Sequence, residues 1–195
     1  MSSRRPPLSG NQIDNTNNAV DASRQELRHI CLDIHAHPEL NYQEHHAAQL
    51  LSDTLERHGF AVERGIGGVE TAFSAVLQGR SGDGPTIAIL AEYDALPDVG
   101  HGCGHNLIAT TAVGAGLGIQ ANLEMLPGRV VVLGTPAEEG GGGKIRLLEA
   151  GVFNDVDVVL SSHPSSNRTF VPTDIPLSES WSLAMVGYRY AYHGK

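Results

Sequence analysis

The run RVVVLGTP (129–136) places four apolar residues, Val130 to Leu133, side by side with no polar alternation. A strand that is apolar on both faces needs cover on both faces, which is the situation of a parallel sheet with helices above and below it. TAFSAVLQG (71–79), TIAILAEYD (86–94) and DVDVVLSSHP (155–164) read as further strands of the same sheet, the first two joined by the loop RSGDGP and the last one buried. Helical stretches alternate with them. VDASRQELRHICLDIHAH carries Leu27, Ile30, Cys31 and Ile34 at three- and four-residue intervals and stops at Pro38. QEHHAAQLLSDTLERH (43–58) turns Ala47, Leu50, Leu51 and Leu55 inward before Gly59. An Ala/Gly/Leu-rich helix over 107–123 and a helix over 143–151 complete the set. The expectation is an α/β fold: three α/β/α layers, a mostly parallel sheet and right-handed crossovers.

The ends of the chain read differently. Residues 1–20 are polar, lack the apolar stretch of a signal peptide and are expected to form a disordered tail. Beyond Pro176, SESWSLAMVGYRYAYHGK alternates like an exposed antiparallel strand without a partner, the expected start of a second domain over 178–195. No apolar run approaches the length of a membrane span. A net charge of -9 with no basic patch argues against nucleic acid as a partner. Two cysteines, Cys31 and Cys103, make no disulfide framework. The expected protein is soluble, acidic and cytoplasmic.

In a parallel sheet, ligands collect beyond the carboxyl ends of the strands. Three such ends carry suggestive residues. Glu92 and Asp94 follow strand 86–91, with Cys103 and His105 inside GHGCGHN (100–106); Glu138 and Glu139 follow strand 129–134; His163 follows strand 157–161. One thiol, two imidazoles and adjacent carboxylates suit a transition metal of the zinc or manganese kind. The glycines at 100, 102 and 104 let the backbone turn tightly enough for Cys103 and His105 to point the same way. Of two consecutive glutamates, one can bind metal while its neighbour takes a proton from an activated water.

Each element also has a plainer reading. Cys103 could be a small core residue, His105 a helix cap, Glu138–Glu139 a solvated helix start and His163 a loop histidine. Cys103 and His105 could also form a nucleophile and base, although residues two apart in a tight turn rarely align so, and Glu138–Glu139 would then be idle. His35 and His37 suit a helix end, His45 and His46 the surface, and His101 has no evident role. GGGGK (140–144) lacks the Ser/Thr ending of a phosphate loop and follows two acidic residues.

AEYDALPDVGHGCGHNLIA (91–109), GTPAEEGGGGK (134–144), SSHP (161–164) and HAHPELNYQEHHAA (35–48) together resemble the amidohydrolase branch of peptidase family M20, from about residue 22 onward. GFAVERGIGGVETAF (59–73) is most similar to that family's dipeptidases, which cleave Xaa-Lys, Xaa-Arg and Xaa-ornithine dipeptides. The resemblance implies a zinc-peptidase-like catalytic domain, of which 21–177 would be the N-terminal part, followed by the first strand of a lid and dimerisation domain. It implies two divalent ions, zinc or manganese, held by Cys103, His105, Glu139 and His163, with Glu138 as general base. It implies homodimers for the family's longer members, and small dipeptides or N-acyl amino acids as substrates. It also leaves the family's last histidine ligand without a counterpart, so a truncated remnant that binds metal weakly, or binds a longer relative, is the rival reading.

Overall fold

The strand anticipated at 129–136 is β4, Pro127–Gly134, and it lies inside a five-stranded sheet. The structure, a computed structural model, describes residues 9–164. Along the chain the elements are α1 (Gly10–Ala22), α2 (Arg24–Ala36), α3 (His45–Arg57), β1 (Ala61–Arg64), β2 (Phe73–Gln78), β3 (Ser81–Ala91), α4 (His105–Gln120), β4, α5 (Gly143–Glu149) and β5 (Val158–Leu160). The strand order is β1-β2-β4-β3-β5.

The sheet is mixed. β3 runs parallel to both β4 and β5, while β2 is antiparallel to its neighbours β1 and β4. Among the described strands, four therefore point one way and β2 points back. The physical reason is chain length. Only residues 79 and 80 separate β2 from β3, far fewer than the dozen or so that a parallel crossover needs. The stretch expected to be a loop, RSGDGP, belongs largely to β3, which starts at Ser81 and carries a register irregularity between Ser81 and Thr86. β1 was not anticipated.

Alternation along β4 feeds two cores. Val130 and Val132 face the layer of α2, α3 and α4, where Ile30, Ile34, Leu51, Leu55, Phe60, Phe73 and Val113 are buried. Val131 and Leu133 face the other layer, with Ile66, Val69 and Leu147. Each such side chain contributes about 1.5–3 kcal/mol on leaving water. The expected three layers are present. α4 presses close because Gly116 faces the sheet: a Cβ there would sit 3.0 Å from Val132 Cγ2 and 3.1 Å from the Phe60 ring.

Three sequence expectations need correction. Residues 10–20, expected in a disordered tail, form α1, closed at its start by a reciprocal Ser9–Gln12 capping box. It docks through polar contacts: Asn122 Nδ2 donates to Gln12 O (3.0 Å) and Thr16 Oγ1 (2.9 Å). The expected buried strand over 155–164 is the short β5, which pairs with β3 at the edge of the described sheet and whose Val158, Val159 and Leu160 are exposed. Cys31, assigned to the core stripe, is half-buried and accepts from Asn106 Nδ2 at 3.3 Å. The expected lid strand at 178–195 lies outside the described residues.

Candidate metal centre

β3 and β4 end level, paired at Ala91 and Gly134, and Thr135 N extends the ladder to Ala91 O (2.8 Å). The loops that follow therefore leave the sheet side by side. The first carries Glu92, Tyr93 and Asp94; the second carries Glu138 and Glu139. Gly134 has no room for a side chain, since a Cβ there would lie 2.3 Å from the Phe73 ring and 2.7 Å from the Tyr93 hydroxyl.

His105 is the first residue of α4 and is 1% exposed. Gly104 precedes it with φ +80°, and a Cβ at that position would lie 2.7 Å from Pro164 Cγ, so both backbone and space require glycine. The imidazole Nδ1 faces the main-chain oxygen of Asp94 (2.8 Å) and its carboxylate Oδ1 (3.0 Å). Two acceptors assign the Nδ1 proton and leave Nε2 on the other side of the ring. Nε2 is buried and has no hydrogen-bond partner among the described residues. It faces Glu92 Oε2 at 3.6 Å, Glu139 Oε1 at 3.7 Å and Glu138 Oε2 at 3.8 Å.

Asp94 organises both sides of this group. Its Oδ2 accepts from Glu139 N (2.8 Å) while Oδ1 serves His105. Burial pushes its pKa up, but the bonds from His105 and the Glu139 amide outweigh burial and hold it below the ordinary value. His105 is moved the other way: burial disfavours its charge, yet Asp94, Glu92 and Glu139 together raise it. Among the described residues the cation in contact is Lys144, whose Nζ lies 2.7 Å from Glu92 Oε1. Three carboxylates thus converge on one imidazole nitrogen that must take either a proton or a positive ion.

The structure brings His105, Glu138 and Glu139 together. Cys103 stands beside Glu139, half-buried; a hydrogen bond to Glu139 and burial push its thiol up to about 11. That is the reverse of what a nucleophilic thiolate requires. His163 is exposed, with its ring edge-on to His105 at 6.4 Å between centroids and its Nδ1 against Pro164 O. Glu92 and Asp94 appear in the sequence only as polar residues at a strand end, with no role assigned. His101 is partly buried, with neither ring nitrogen partnered among the described residues. His37 closes α2, and His46 pairs with Asp33 at the surface.

A family profile described as Peptidase family M20/M25/M40 matches residues 88–176, the segment that carries this group. That segment resembles this family. The chain is 42% identical over 169 residues to the human Xaa-Arg dipeptidase, an alignment covering 78% of this chain and 39% of that protein. It is 39% identical to a p-aminobenzoyl-glutamate hydrolase polypeptide of Escherichia coli strain K12, over 76% of this chain and 34% of that one. The fold matches the Bacillus subtilis YXEP protein, described as a dinuclear metal binding peptidase, with a TM-score of 0.70 and 30% identity over 75% of this chain and 44% of that structure. The chain spans about two fifths of the length of the curated dipeptidases it matches.

The donor set fits a metal. His105 offers a desolvated lone pair, and Glu92, His105 and Glu138 can each place one ligand atom within 4.8 Å of the others. A divalent cation would neutralise charge that Lys144 alone leaves in excess.

Proposed function

We propose that the protein hydrolyses amide or peptide bonds in small substrates, dipeptides or N-acyl amino acids, with two divalent ions at this centre. Cys103, His105, Glu139 and His163 would hold them, with zinc or manganese as the metal. Ions held there would polarise a scissile carbonyl and make a water acidic near neutral pH.

The chain's own residues supply the rest. Glu138 is 41% exposed, so its carboxylate reaches solvent while lying 3.8 Å from His105 Nε2. In this reading it takes a proton from a water at the centre and returns it to the leaving amine. Asp94 keeps the His105 proton on Nδ1, which leaves Nε2 free as a ligand. Lys144, paired with Glu92, limits how many of the carboxylates act as ligands. The relatives named Xaa-Arg dipeptidase and aminobenzoyl-glutamate hydrolase support a small substrate joined through an amide. No described helix is long and apolar enough to cross a membrane, and a cytoplasmic location suits substrates of this kind.

The buried, unpartnered Nε2 of His105 facing three carboxylates carries this reading. The test is zinc and manganese content after chelator washing and reconstitution, alongside hydrolysis of Xaa-Arg and Xaa-Lys dipeptides. Two ions per chain, with turnover lost in Glu138→Gln, is the expected result. A chain that binds neither metal, or whose turnover survives Glu138→Gln, refutes it.

A further inference from the structure

Glu44 lies just before α3, outside the centre just described, and its side chain is completely buried. Burial raises its pKa, against the bonds that its carboxylate accepts. Those bonds are unusual in where they lead. Oε1 accepts from the main-chain N–H of Ala137 (2.8 Å), and Oε2 accepts from the Thr71 hydroxyl (3.0 Å). Ala137 directly precedes Glu138 and Glu139. It is fully buried and has φ +57°, the left-handed region that a residue with a Cβ adopts at a cost.

Two neighbours of Glu44 hold the same turn. Asn41 Nδ2 donates to the main-chain oxygen of Glu139 (2.5 Å), and the Tyr42 hydroxyl donates to Gly141 O (2.5 Å). Tyr42 is itself covered by the Arg146 guanidinium, 4.4 Å above its ring. Residues 41, 42 and 44 therefore bond residues 139, 141 and 137, and the middle of that turn carries both glutamates.

We propose that Glu44 is a positioning residue for the centre: it holds Ala137 in the left-handed conformation that aims Glu138 and Glu139 at His105. Its catalytic consequence rests on the hydrolase reading above, while its hold on the turn does not. It touches neither substrate nor ion.

The experiment compares the parent chain with Glu44→Ala, Glu44→Gln, and Glu44→Ala combined with Ala137→Gly. It reads hydrogen exchange across residues 135–142, zinc affinity by chelator competition, and kcat and KM for a dipeptide. In Glu44→Ala, exchange at the Ala137 amide is expected to accelerate at least tenfold, and zinc affinity and kcat to fall at least tenfold with KM little changed. Glutamine can still accept from Ala137 and donate to Thr71, so Glu44→Gln should stay within about threefold of the parent. Glycine at 137 needs no help to adopt φ +57°, so the double variant should recover part of the loss.

A folded Glu44→Ala chain with parental zinc affinity and kcat overturns the proposal, even if exchange is faster, because Glu44 would then be structural only. Equal losses in Gln and Ala overturn it as well. Should Glu44→Ala fail to fold, Thr71→Val removes one of the two donors instead; unchanged exchange and zinc affinity in that variant overturn the proposal. A parent chain that neither binds zinc nor hydrolyses dipeptides refutes the hydrolase reading. The exchange data then decide the hold on Ala137 alone: acceleration upholds it, and no change overturns it.

Discussion

Replacing Asp94 by asparagine removes a charge while keeping the shape, and its outcome can be worked from two distances. The carboxylate accepts from His105 Nδ1 at 3.0 Å on one oxygen and from Glu139 N at 2.8 Å on the other. An amide has one oxygen and one NH2. In either orientation, one of these donors faces two hydrogens instead of an oxygen. A hydrogen bond to a charged group contributes about 1.5–3 kcal/mol, and a buried donor left unpaired costs about 1–3 kcal/mol. Removing a negative charge from an acidic cluster works the other way. The sign is settled by Asp94 itself: its pKa lies below the ordinary value despite burial, so the fold stabilises the anion on balance. The His105 ring keeps its bond to the Asp94 main-chain oxygen at 2.8 Å, so its orientation loosens rather than inverts. Asp94→Asn should lower stability by about 2–4 kcal/mol in urea melts of chelator-stripped protein. It should weaken zinc binding about 10- to 100-fold in a chelator competition, as losing the partner of a metal-binding histidine does elsewhere. A variant within about 0.5 kcal/mol of the parent, with unchanged zinc affinity, would refute the role assigned to Asp94.

Gly143→Ala would place a Cβ 1.8 Å from Pro136 O, so the start of α5 must move; about 1–3 kcal/mol of stability should be lost in urea, with less zinc retained after dialysis. Leu51→Ala in the fully buried α3 core should cost about 2–5 kcal/mol. Leu148→Ala, at an exposed position in α5, should stay within about 0.5 kcal/mol, and paired melts compare the two. Glu26 accepts from His58 (2.8 Å) and Arg57 (3.1 Å), and the His58 bond chiefly holds its pKa below 4.5. The stability this supplies is fully present above pH 4.5 and is lost as pH falls through the lower folded value; Glu26→Gln should abolish up to about 1 kcal/mol of that acid-side loss in melts across pH. Glu44 has the opposite sign. Its pKa is raised, so it withdraws stability as pH rises above 4.5, and Glu44→Gln should flatten that decline.

What the sequence reveals is what is local. An apolar run such as 130–133 declares a two-faced buried strand, and residues placed just after strand ends announce a site at one edge of the sheet. Hence β4 and the grouping of His105 with Glu138 and Glu139 were legible. α1 was not, because its hydrogen bonds link Gln12, Asn15 and Thr16 with Asn122, just past the end of α4, and it meets α4 itself through Thr16 and Val20 packed close to Gly118 rather than through a long apolar stripe. The reversed direction of β2 was available in principle, since the connection after it is too short for a crossover, but a Gly/Pro/Ser-rich stretch suggests a loop. Glu44 gave no signal of its own. A glutamate at a helix start is ordinarily solvated, and only the fold shows that this one is buried against Ala137.

The level ends of β3 and β4 turn strand length into a ruler. Each residue along a strand spans about 3.3 Å, close to the 3.6–3.8 Å gaps between His105 Nε2 and its three carboxylates. Inserting one residue into β4 would carry Glu138 and Glu139 nearly that whole distance. It would also exchange the two faces, sending Val131 and Leu133 toward the helices that Val130 and Val132 now meet. The arrangement of His105 and its carboxylates at one edge of the sheet is therefore calibrated by a count of residues in the sheet's interior.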